Sequence, residues 1–389
     1  MQFICIEKFL KMSIMKTYEV IDGECIIPSS EKIVRTVPRE LRDNITRVVI
    51  PDSAVIIGKD AFAGCRYLTD VVLPNSIVLI RRSAFASCWD LTKIQLPDSV
   101  VDIERYAFFN CSKLEEITLP KAVFKIGFDA FSFCSKLSNI VIPKSVCIIE
   151  HNPFRFCDLS NISVEEGNDY YDSRENCNAI IESETNRLIA GCKNSFIPDS
   201  VTTIGDDAFY QCTGLTDITI PDSVVEIGYS AFSGCYNLTR INIPKSVSKI
   251  NLYSLIGCDL TDITVSNDNQ VYDSRNNCNA IIETKTNKLI IGGQNTIIPD
   301  DIEIIGESAF TSSSLNSIVI PKCVNKICEL AFYACKQLTN ITITGSNTKF
   351  PKDAFKECDS VESILVPVGS VEFYQKQLPK RLHKFVKEF

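Results

Sequence analysis

Cysteine is the residue type in this chain with the widest range of possible chemistry. The 389 residues include 18 cysteines but only two histidines, His151 and His383. Thiols can form disulfides, bind metals or act as nucleophiles, and their spacing helps to separate these uses. The cysteines form no Cys-x-x-Cys pairs, and two histidines offer few further ligands, so the pattern argues against zinc. We therefore predict no bound metal.

Ten of the cysteines recur at one position of a 23-residue repeat. Stacked repeats place such residues about 4.8 Å apart along one line. Their side chains then point in parallel directions, which holds the Cβ atoms too far apart for normal disulfide geometry. Ser313 fills the same position in another repeat, and a stack of packed thiols tolerates this exchange. The sequence thus predicts a ladder of buried free thiols that pack as small apolar groups, made of Cys65, Cys88, Cys111, Cys134, Cys157, Cys212, Cys235, Cys258, Cys335 and Cys358.

The sequence offers no catalytic constellation. His151 stands beside Asn152-Pro153, far in sequence from any arrangement of a nucleophile with an acid. Neither a glycine-rich phosphate loop nor a paired-carboxylate motif is present. We therefore predict a protein without catalytic activity and without a cofactor.

The repeat that carries these cysteines is clearest in Ile218–Arg240, ITIPDSVVEIGYSAFSGCYNLTR. Apolar residues alternate with polar ones before Pro221, which predicts a short strand ended by a turn. A second extended stretch reaches Gly228, and Ala231-Phe232-x-x-Cys235 has the spacing of one helical turn. A unit of this size cannot bury its own apolar face, whereas a stack of about eleven such units can. The prolines that mark the period are Pro51, Pro74, Pro97, Pro120, Pro143, Pro198, Pro221, Pro244, Pro299 and Pro321.

The pattern LxxIxIPxSVxxIGxxAFxxCxxL resembles the BspA-like leucine-rich repeats, including the treponemal-type 23-residue repeats, over residues 45–366. This resemblance implies a right-handed leucine-rich-repeat solenoid, mostly β with short helical turns and with a parallel sheet on its concave face. It also implies a protein at the cell surface or secreted, with a role in adhesion to host or microbial proteins.

Bulk composition and the N-terminus leave the cellular location open. The net charge of −8 disfavours nucleic acid and anionic membranes as partners. We find no apolar run near the roughly 20 residues that a spanning helix needs, so we predict no transmembrane segment. Residues 1–14 lack the pattern of a secretory signal, and Met12 or Met15 is an alternative start. Taken at face value this indicates a cytoplasmic protein, whereas the resemblance implies a surface or secreted one.

We predict three regions along the chain. Residues 1–47 form an N-terminal extension and cap, residues 48–366 form the solenoid, and residues 367–389 form a C-terminal capping helix and tail. Two hairpin inserts interrupt the solenoid near residues 165–196 and 266–297. The inserts are copies of each other at an offset of 101 residues.

The candidate contacts with a partner come from two places. One is a line of outward strand positions on which charges alternate in sign, read either as a ligand groove or as an ion ladder that holds strand register. The other is the hairpin region, whose tyrosines serve either recognition or packing. We predict a monomeric, non-enzymatic scaffold that binds a protein or glycan partner, in adhesion or alternatively as an intracellular interaction module. The candidate residues are Asp70, Lys93, Glu116, Asp217 and Arg240 on the strands, and Tyr170, Tyr171, Arg174, Tyr272 and Arg275 in the hairpins.

Overall fold

The computed structural model describes residues 18–389, so the questions of leader and start site at Met1, Met12 and Met15 lie outside the described residues. The chain divides into two compact units, Met1–Tyr171 and Asp172–Phe389. Each unit is a solenoid in which one repeat adds two short strands and a turn segment around the Ala-Phe-x-x-Cys motif, which we call the corner. Strands of successive repeats pair in parallel.

The first unit contains 14 strands and a 3₁₀ helix at Arg39–Asn44. The second strands of its repeats form a six-stranded parallel sheet in the order β13-β11-β9-β7-β5-β3, and the first strands form shorter sheets. The strands are β1 (Glu19–Ile21), β2 (Glu24–Ile26), β3 (Ile33–Val34), β4 (Arg47–Val49), β5 (Ile56–Ile57), β6 (Asp70–Val72), β7 (Leu79–Ile80), β8 (Lys93–Ile94), β9 (Asp102–Ile103), β10 (Glu116–Ile117), β11 (Lys125–Ile126), β12 (Asn139–Ile142), β13 (Ile148–Ile149) and β14 (Asn161–Val164).

The chain passes from the first unit to the second through β15 (Tyr171–Asp172). The second unit then contains β16 (Ala179–Glu182), β17 (Arg187–Gly191), β18 (Thr203–Ile204), β19 (Glu226–Ile227), β20 (Arg240–Ile243), β21 (Lys249–Ile250), β22 (Asp262–Val265), β23 (Tyr272–Asp273), β24 (Ala280–Glu283), β25 (Lys288–Gly292), β26 (Ile304–Ile305), β27 (Ser317–Ile320), β28 (Lys326–Ile327), β29 (Asn340–Ile343), β30 (Ser363–Val366) and β31 (Val386–Glu388). Its helices are α1 (Val371–Gln377) and 3₁₀ turns at Arg174–Asn176, Arg275–Asn277 and Lys380–Phe385.

Each insert contains an antiparallel hairpin that joins the sheet of second strands. In the second insert, β24 pairs antiparallel with β25, and β25 pairs in parallel with β26 of the next repeat. In the first insert, β16 and β17 pair antiparallel and β17 pairs in parallel with β18. The second strand of each hairpin, β17 or β25, therefore takes the place of a repeat's second strand in the sheet.

Phenylalanine rings fill the centre of the stack. Phe62, Phe85, Phe108 and Phe131 are fully buried, and the centroids of neighbouring rings lie 5.3–5.4 Å apart. The same stacking recurs in the second unit in two runs, Phe209–Phe232 and Phe310–Phe332–Phe355. Within each of these runs, one ring per repeat gives a continuous apolar column.

The corner that carries each phenylalanine is a pair of successive turns with two residues at positive φ. In the corner around Phe85 these are Ser83 and Ser87, with φ of 56° and 59°. Between them the backbone N–H groups point at the carbonyls of the next corner, so that Phe85 N donates to Ala107 O at 2.8 Å. Successive corners are therefore joined by backbone hydrogen bonds in the same way as the strands.

The C-terminal segment closes the last repeat. Tyr374 of α1 is fully buried and its hydroxyl donates to Gly345 O at 2.7 Å. Arg381 donates to the carbonyls of Phe355 and Cys358, at 3.1 and 2.9 Å. The guanidinium thereby satisfies acceptors that a further repeat would otherwise use.

Candidate functional site

The cysteine ladder forms a regular set of hydrogen bonds. Cys111 Sγ donates to Phe85 O at 3.2 Å, and Cys134 Sγ donates to Phe108 O at the same distance. The thiol thus satisfies a buried carbonyl of the preceding repeat, in addition to filling space. Equivalent bonds with S···O distances of 2.9–3.3 Å are made by Cys88, Cys157, Cys235, Cys258, Cys335 and Cys358.

Burial also disfavours the thiolate form of most of these cysteines. It raises the pKa of Cys111 from 9.0 to about 12, because the buried environment disfavours the thiolate. The pKa of Cys88 is raised well above its ordinary value for the same reason. All cysteines of residues 18–389 are free. Since the thiolate is the nucleophile and the metal ligand, the ladder serves packing and hydrogen bonding.

We expect slow labelling of the ladder thiols by a thiol reagent at pH 8 while the protein is folded. Eight of the ten are buried, which withholds their sulfur atoms from the reagent, so the half-buried Cys147 and Cys328 should react before them. After denaturation without reductant, all 18 cysteines should titrate. A markedly lower count in denatured protein would show disulfides and contradict the ladder of free thiols.

The hairpin tyrosines are divided between interior and surface. Tyr171 and Tyr272 are both only 5% exposed. Their hydroxyls accept hydrogen bonds at 3.0 Å from the N–H groups of Ile149 and Ile250. Tyr170 is 54% exposed. Of the three candidate tyrosines, only Tyr170 therefore offers its ring to a partner, and the buried pair hold the inserts on the repeats.

The two hairpin arginines are held by internal partners. Arg174 makes a bidentate pair with Asp172 at 2.8 and 2.6 Å and also donates to Asn186. Arg275 pairs with Asp273 at the same distances. Arg275 also donates to Asp301 at 2.7 Å. These guanidinium groups join the hairpin to the following repeat, which leaves less donor capacity for a ligand.

The charged positions on the first strands lie next to each other on neighbouring strands, and some of them form ion pairs across the sheet. Arg47 lies 3.0 Å from Asp70 and 3.8 Å from Glu24. Lys93 is in register with Glu116. Arg240 is in register with Asp262. Asp217 departs from the prediction, because residues 215–220 are not in a strand and the line is broken there.

One asparagine anchors each insert through the same four hydrogen bonds. Asn269 donates from Nδ2 to the carbonyls of Pro244 and Val247, at 2.8 and 2.9 Å. Its Oδ1 accepts from the N–H groups of Val271 and Tyr272. Asn168 repeats all four bonds in the first insert. Sequence reasoning missed these residues, although both recur at the 101-residue offset of the inserts.

Sequence reasoning also missed a surface cluster of aromatic side chains in the first unit, which we call the aromatic strip: Tyr106, Phe109, Phe128, Phe133 and Phe156. Phe133 and Phe156 stack at 3.9 Å, and Phe109 meets Phe133 edge-on at 5.2 Å. Tyr106 contacts both Phe109 and Phe128 at 5.6 Å. Phe133 is 37% exposed and the others are half-buried.

Charged and titratable neighbours border the aromatic strip at Phe128. The guanidinium of Arg155 lies 5.1 Å from the ring centre, and His151 contacts the ring edge-on at 5.8 Å. Arg155 is itself fixed by a pair with Asp129, whose oxygens lie 2.5 and 2.8 Å away. Protein-binding surfaces are enriched in aromatic residues and arginine, which makes this strip the strongest candidate site.

Three residues of the aromatic strip adopt an unfavourable backbone conformation. Tyr106 has a φ of 61°, and Phe133 and Phe156, which share one corner position, have φ of 64° and 62°. Other repeats place Gly64 and Asn110 at this corner, residue types that tolerate positive φ. A bulky side chain costs about 1–2 kcal/mol in this region. Such strain is often found at functional sites.

Within residues 18–389, no group of three or more histidine, cysteine, aspartate or glutamate side chains could hold a metal ion. No helix in this range has the length and apolar character needed to cross a bilayer. The candidate sites are therefore surfaces of the repeats and inserts themselves.

Comparison with known proteins confirms the resemblance. The family described as BspA type leucine rich repeat region matches in six copies, over residues 41–163, 180–290 and 280–378. No curated protein matches the chain. A leucine-rich repeat protein from Eubacterium ventriosum has a similar structure, with a TM-score of 0.65 and 23% identity over 88% of this chain and 93% of that one.

Two further solved structures are similar at 23% identity and a TM-score of 0.49. A leucine-rich repeat protein from Bacteroides ovatus matches over 96% of this chain and 98% of its own. A leucine rich cell surface protein from Faecalibacterium prausnitzii matches over 93% of this chain and 95% of its own. The family matches cover most of the sequence, and the repeats fold as a solenoid. The chain therefore belongs to the BspA-type leucine-rich repeat family.

Proposed function

We propose that this protein is a non-enzymatic binding scaffold whose aromatic strip contacts a protein partner, in the manner of an adhesin at the cell surface. The observation that supports this most is the strip itself, with its exposed Phe133 stacked on Phe156. Both residues stand in strained backbone, at a corner where neighbouring repeats use small or polar residues. The core of the repeats explains stability and gives no reason for aromatic rings at these surface positions.

The second candidate function is that of an intracellular protein-interaction module. It is supported by the free cysteines of residues 18–389, since secreted proteins more often carry disulfides. Treatment of intact cells with a protease separates the two locations. Cleavage on intact cells supports the surface role, and protection until the cells are lysed supports the intracellular one.

The charged strand positions and Tyr170 remain candidate contacts in this proposal. Asp70, Lys93, Glu116 and Arg240 present charges that another protein can pair with. Exposed ion pairs contribute less than about 1 kcal/mol, so we assign them a smaller share of the binding energy than the aromatic rings.

The double variant Phe133→Asn/Phe156→Asn is expected to lose partner binding at least about tenfold while it stays folded. Asparagine tolerates positive φ and occupies this corner at Asn110, so relief of strain offsets the lost ring stacking. The measurement is quantitative capture of proteins from an extracellular-matrix extract and from a lysate. We also expect the melting temperature to change little.

The matched control is Phe124→Asn, which removes a phenylalanine of similar exposure, 39%, outside the aromatic strip. This variant should capture the same proteins as the unmodified chain. Equal capture by all three proteins would reject the strip as the binding surface. Loss with Phe124→Asn alone would place the surface elsewhere on the first unit.

A further inference from the structure

In the second unit, each corner is joined to the corner of the next repeat by three backbone hydrogen bonds; we call one repeat of this stack a layer. Ser230, Phe232 and Gly234 donate from their N–H groups to the carbonyls of Leu252, Ser254 and Ile256, at 3.2, 2.7 and 2.7 Å. The corner of Ser308, Phe310 and Ser312 donates in the same way to the carbonyls of Glu329, Ala331 and Tyr333. A corner therefore presents three donors to the layer that follows it and three acceptors to the layer before it.

The second insert supplies a strand for its layer but no corner. Leu289 of β25 lies in register with Ile305, at the position that Ile227 holds in an ordinary repeat. Pro299 follows Leu289 after ten residues, whereas Pro244 follows Ile227 after seventeen. The chain turns back at Gly292 and Gly293, without the Ala-Phe-x-x-Cys segment that forms the corner elsewhere.

A cavity of about 170 Å³ lies where this corner would be, between residues 252–258 and 306–313. One wall carries the N–H groups of Tyr253, Leu255 and Gly257, which correspond to the donors of the preceding layer. In the described part of the chain, none of these three groups donates a backbone hydrogen bond. The wall thus presents a row of backbone donors at alternate residues.

The opposite wall presents backbone acceptors. The carbonyls of Glu307 and Thr311 correspond to those of Glu329 and Tyr333, which accept bonds in the next layer. Of the three acceptors in this corner, Ala309 O accepts from Gly292 N at 2.8 Å. For the other two, no described residue supplies a donor. The two walls therefore have the pattern that the backbone of another corner between them would complete.

Side chains add one polar and one apolar feature to the cavity. Ser254 lines it at the position where other repeats have alanine, is 1% exposed, and has no described partner for its buried Oγ. Ile290 and Ile291 line the cavity and are only partly buried. The first insert has Ala190 in place of Ile291.

The charges around the cavity favour a neutral ligand over an anion. Glu283, Glu307 and Lys288 line it, which gives two carboxylates against one ammonium. At the mouth, the hydroxyl of Tyr253 donates to Glu307 Oε1 at 2.8 Å and so links the two walls. A peptide carbonyl is an acceptor without net charge, and a peptide also supplies the N–H donors that the opposite wall needs.

We propose that this cavity binds a short peptide segment of a partner protein, which adopts the corner conformation and completes the corner that the insert omits. Its carbonyls accept from the N–H groups of Tyr253, Leu255 and Gly257, and its N–H groups donate to the carbonyls of Glu307 and Thr311. An apolar side chain packs on Ile290 and Ile291. This is recognition by backbone pairing, with pockets for side chains providing the selectivity. The site lies in the second unit and is separate from the aromatic strip, so either site can fail its test without the other.

The probe is an N-acetylated, C-amidated peptide of the sequence SAFSG, the corner at Ser230–Gly234. We expect saturable binding by calorimetry at one peptide per chain. In hydrogen exchange, the amides of residues 252–258 should exchange faster than those of 229–235 in the free protein, and slow at least fivefold with saturating peptide. The same peptide with alternate backbone nitrogens methylated should bind at least tenfold more weakly, because it cannot donate to the second wall.

Two variants test the location of the site. Ile291→Trp fills the cavity and should abolish peptide binding, whereas Ile297→Trp places the same side chain on a 75% exposed position of the same insert and should not. Ser254→Ala installs the usual residue of the repeat and should fold normally with weaker peptide binding.

Three outcomes would overturn the proposal. One is saturable binding of inorganic phosphate that displaces the peptide, which identifies an anion site. Another is unchanged exchange at residues 252–258 with peptide at millimolar concentration, which identifies a site that holds only water. The third is equal binding by the Ile291→Trp and Ile297→Trp proteins, which places the peptide elsewhere.

Discussion

Phe108→Ala is expected to lower the free energy of unfolding of the first unit by about 3–5 kcal/mol. The ring is fully buried and stacks on both faces, at 5.3 Å from Phe85 and 5.4 Å from Phe131. Its loss removes buried apolar surface and leaves a cavity in the middle of a column whose neighbours are fixed by backbone hydrogen bonds on either side. The column cannot close over the gap without breaking those bonds, so little of the cost is recovered by relaxation.

Trp89 provides a specific readout for this variant, since it is the only tryptophan of the chain and lies in the first unit. Urea unfolding followed by its fluorescence should show a lower midpoint for Phe108→Ala. Phe124→Ala, at a partly exposed position, should shift the free energy of unfolding by less than about 1 kcal/mol. Similar midpoints for the two variants would contradict the central role of the ring column.

Asn269→Ala is expected to destabilise the second insert by about 2–4 kcal/mol, because buried backbone groups lose hydrogen-bond partners. Two carbonyls lose a donor and two N–H groups lose an acceptor. The change should appear as faster hydrogen exchange across residues 269–293, measured by mass spectrometry. Exchange in residues 18–142 should be unchanged, because the first unit contains none of the affected groups.

Two further variants test the mechanism at Asn269. Asn269→Asp keeps the acceptor and loses both donors, so its effect at neutral pH should exceed that of a change to the exposed Gln270. Asn168→Ala removes the equivalent four bonds of the first insert and should accelerate exchange at Tyr170 and Tyr171. Normal exchange in both alanine variants would show that the inserts are held by their hairpins alone.

The repeat fold could be predicted from the sequence because its core positions recur. Phenylalanine, isoleucine and cysteine stand at fixed offsets, and each occupies the same environment in every layer. The hydrogen bonds from eight of the ten ladder thiols to phenylalanine carbonyls could not be predicted, because apolar packing alone accounts for the cysteines. A serine in the same position, Ser313, was the available signal that a polar donor fits there.

The candidate sites were harder to predict because binding surfaces occupy the positions that vary. The aromatic strip shows little period in the sequence. Only Phe133 and Phe156 share a repeat position, and the other rings come from different positions and meet them only after the corners stack. For the hairpins, comparison of the two insert sequences indicates which residues are buried. Tyr171 recurs as Tyr272 and is buried, whereas the exposed Tyr170 is replaced by Val271 in the second copy. At these two positions, the residue shared by the inserts holds them in place, and the residue that differs is exposed in the first copy.

The omitted corner of the second insert also determines how the second unit transmits mechanical load. In a stack of repeats, cooperativity passes from each layer to its neighbour. Within residues 18–389, the layer at this insert lacks the corner phenylalanine and cysteine, all three corner bonds from the preceding layer and two of the three to the following layer. The buried core there divides into one cluster around Phe209–Phe232 and another around Phe310–Phe332–Phe355. Under tension the chain should part along this plane before either cluster unfolds. An occupied cavity would bridge the plane, so a ligand there would also raise the force needed to separate the two clusters.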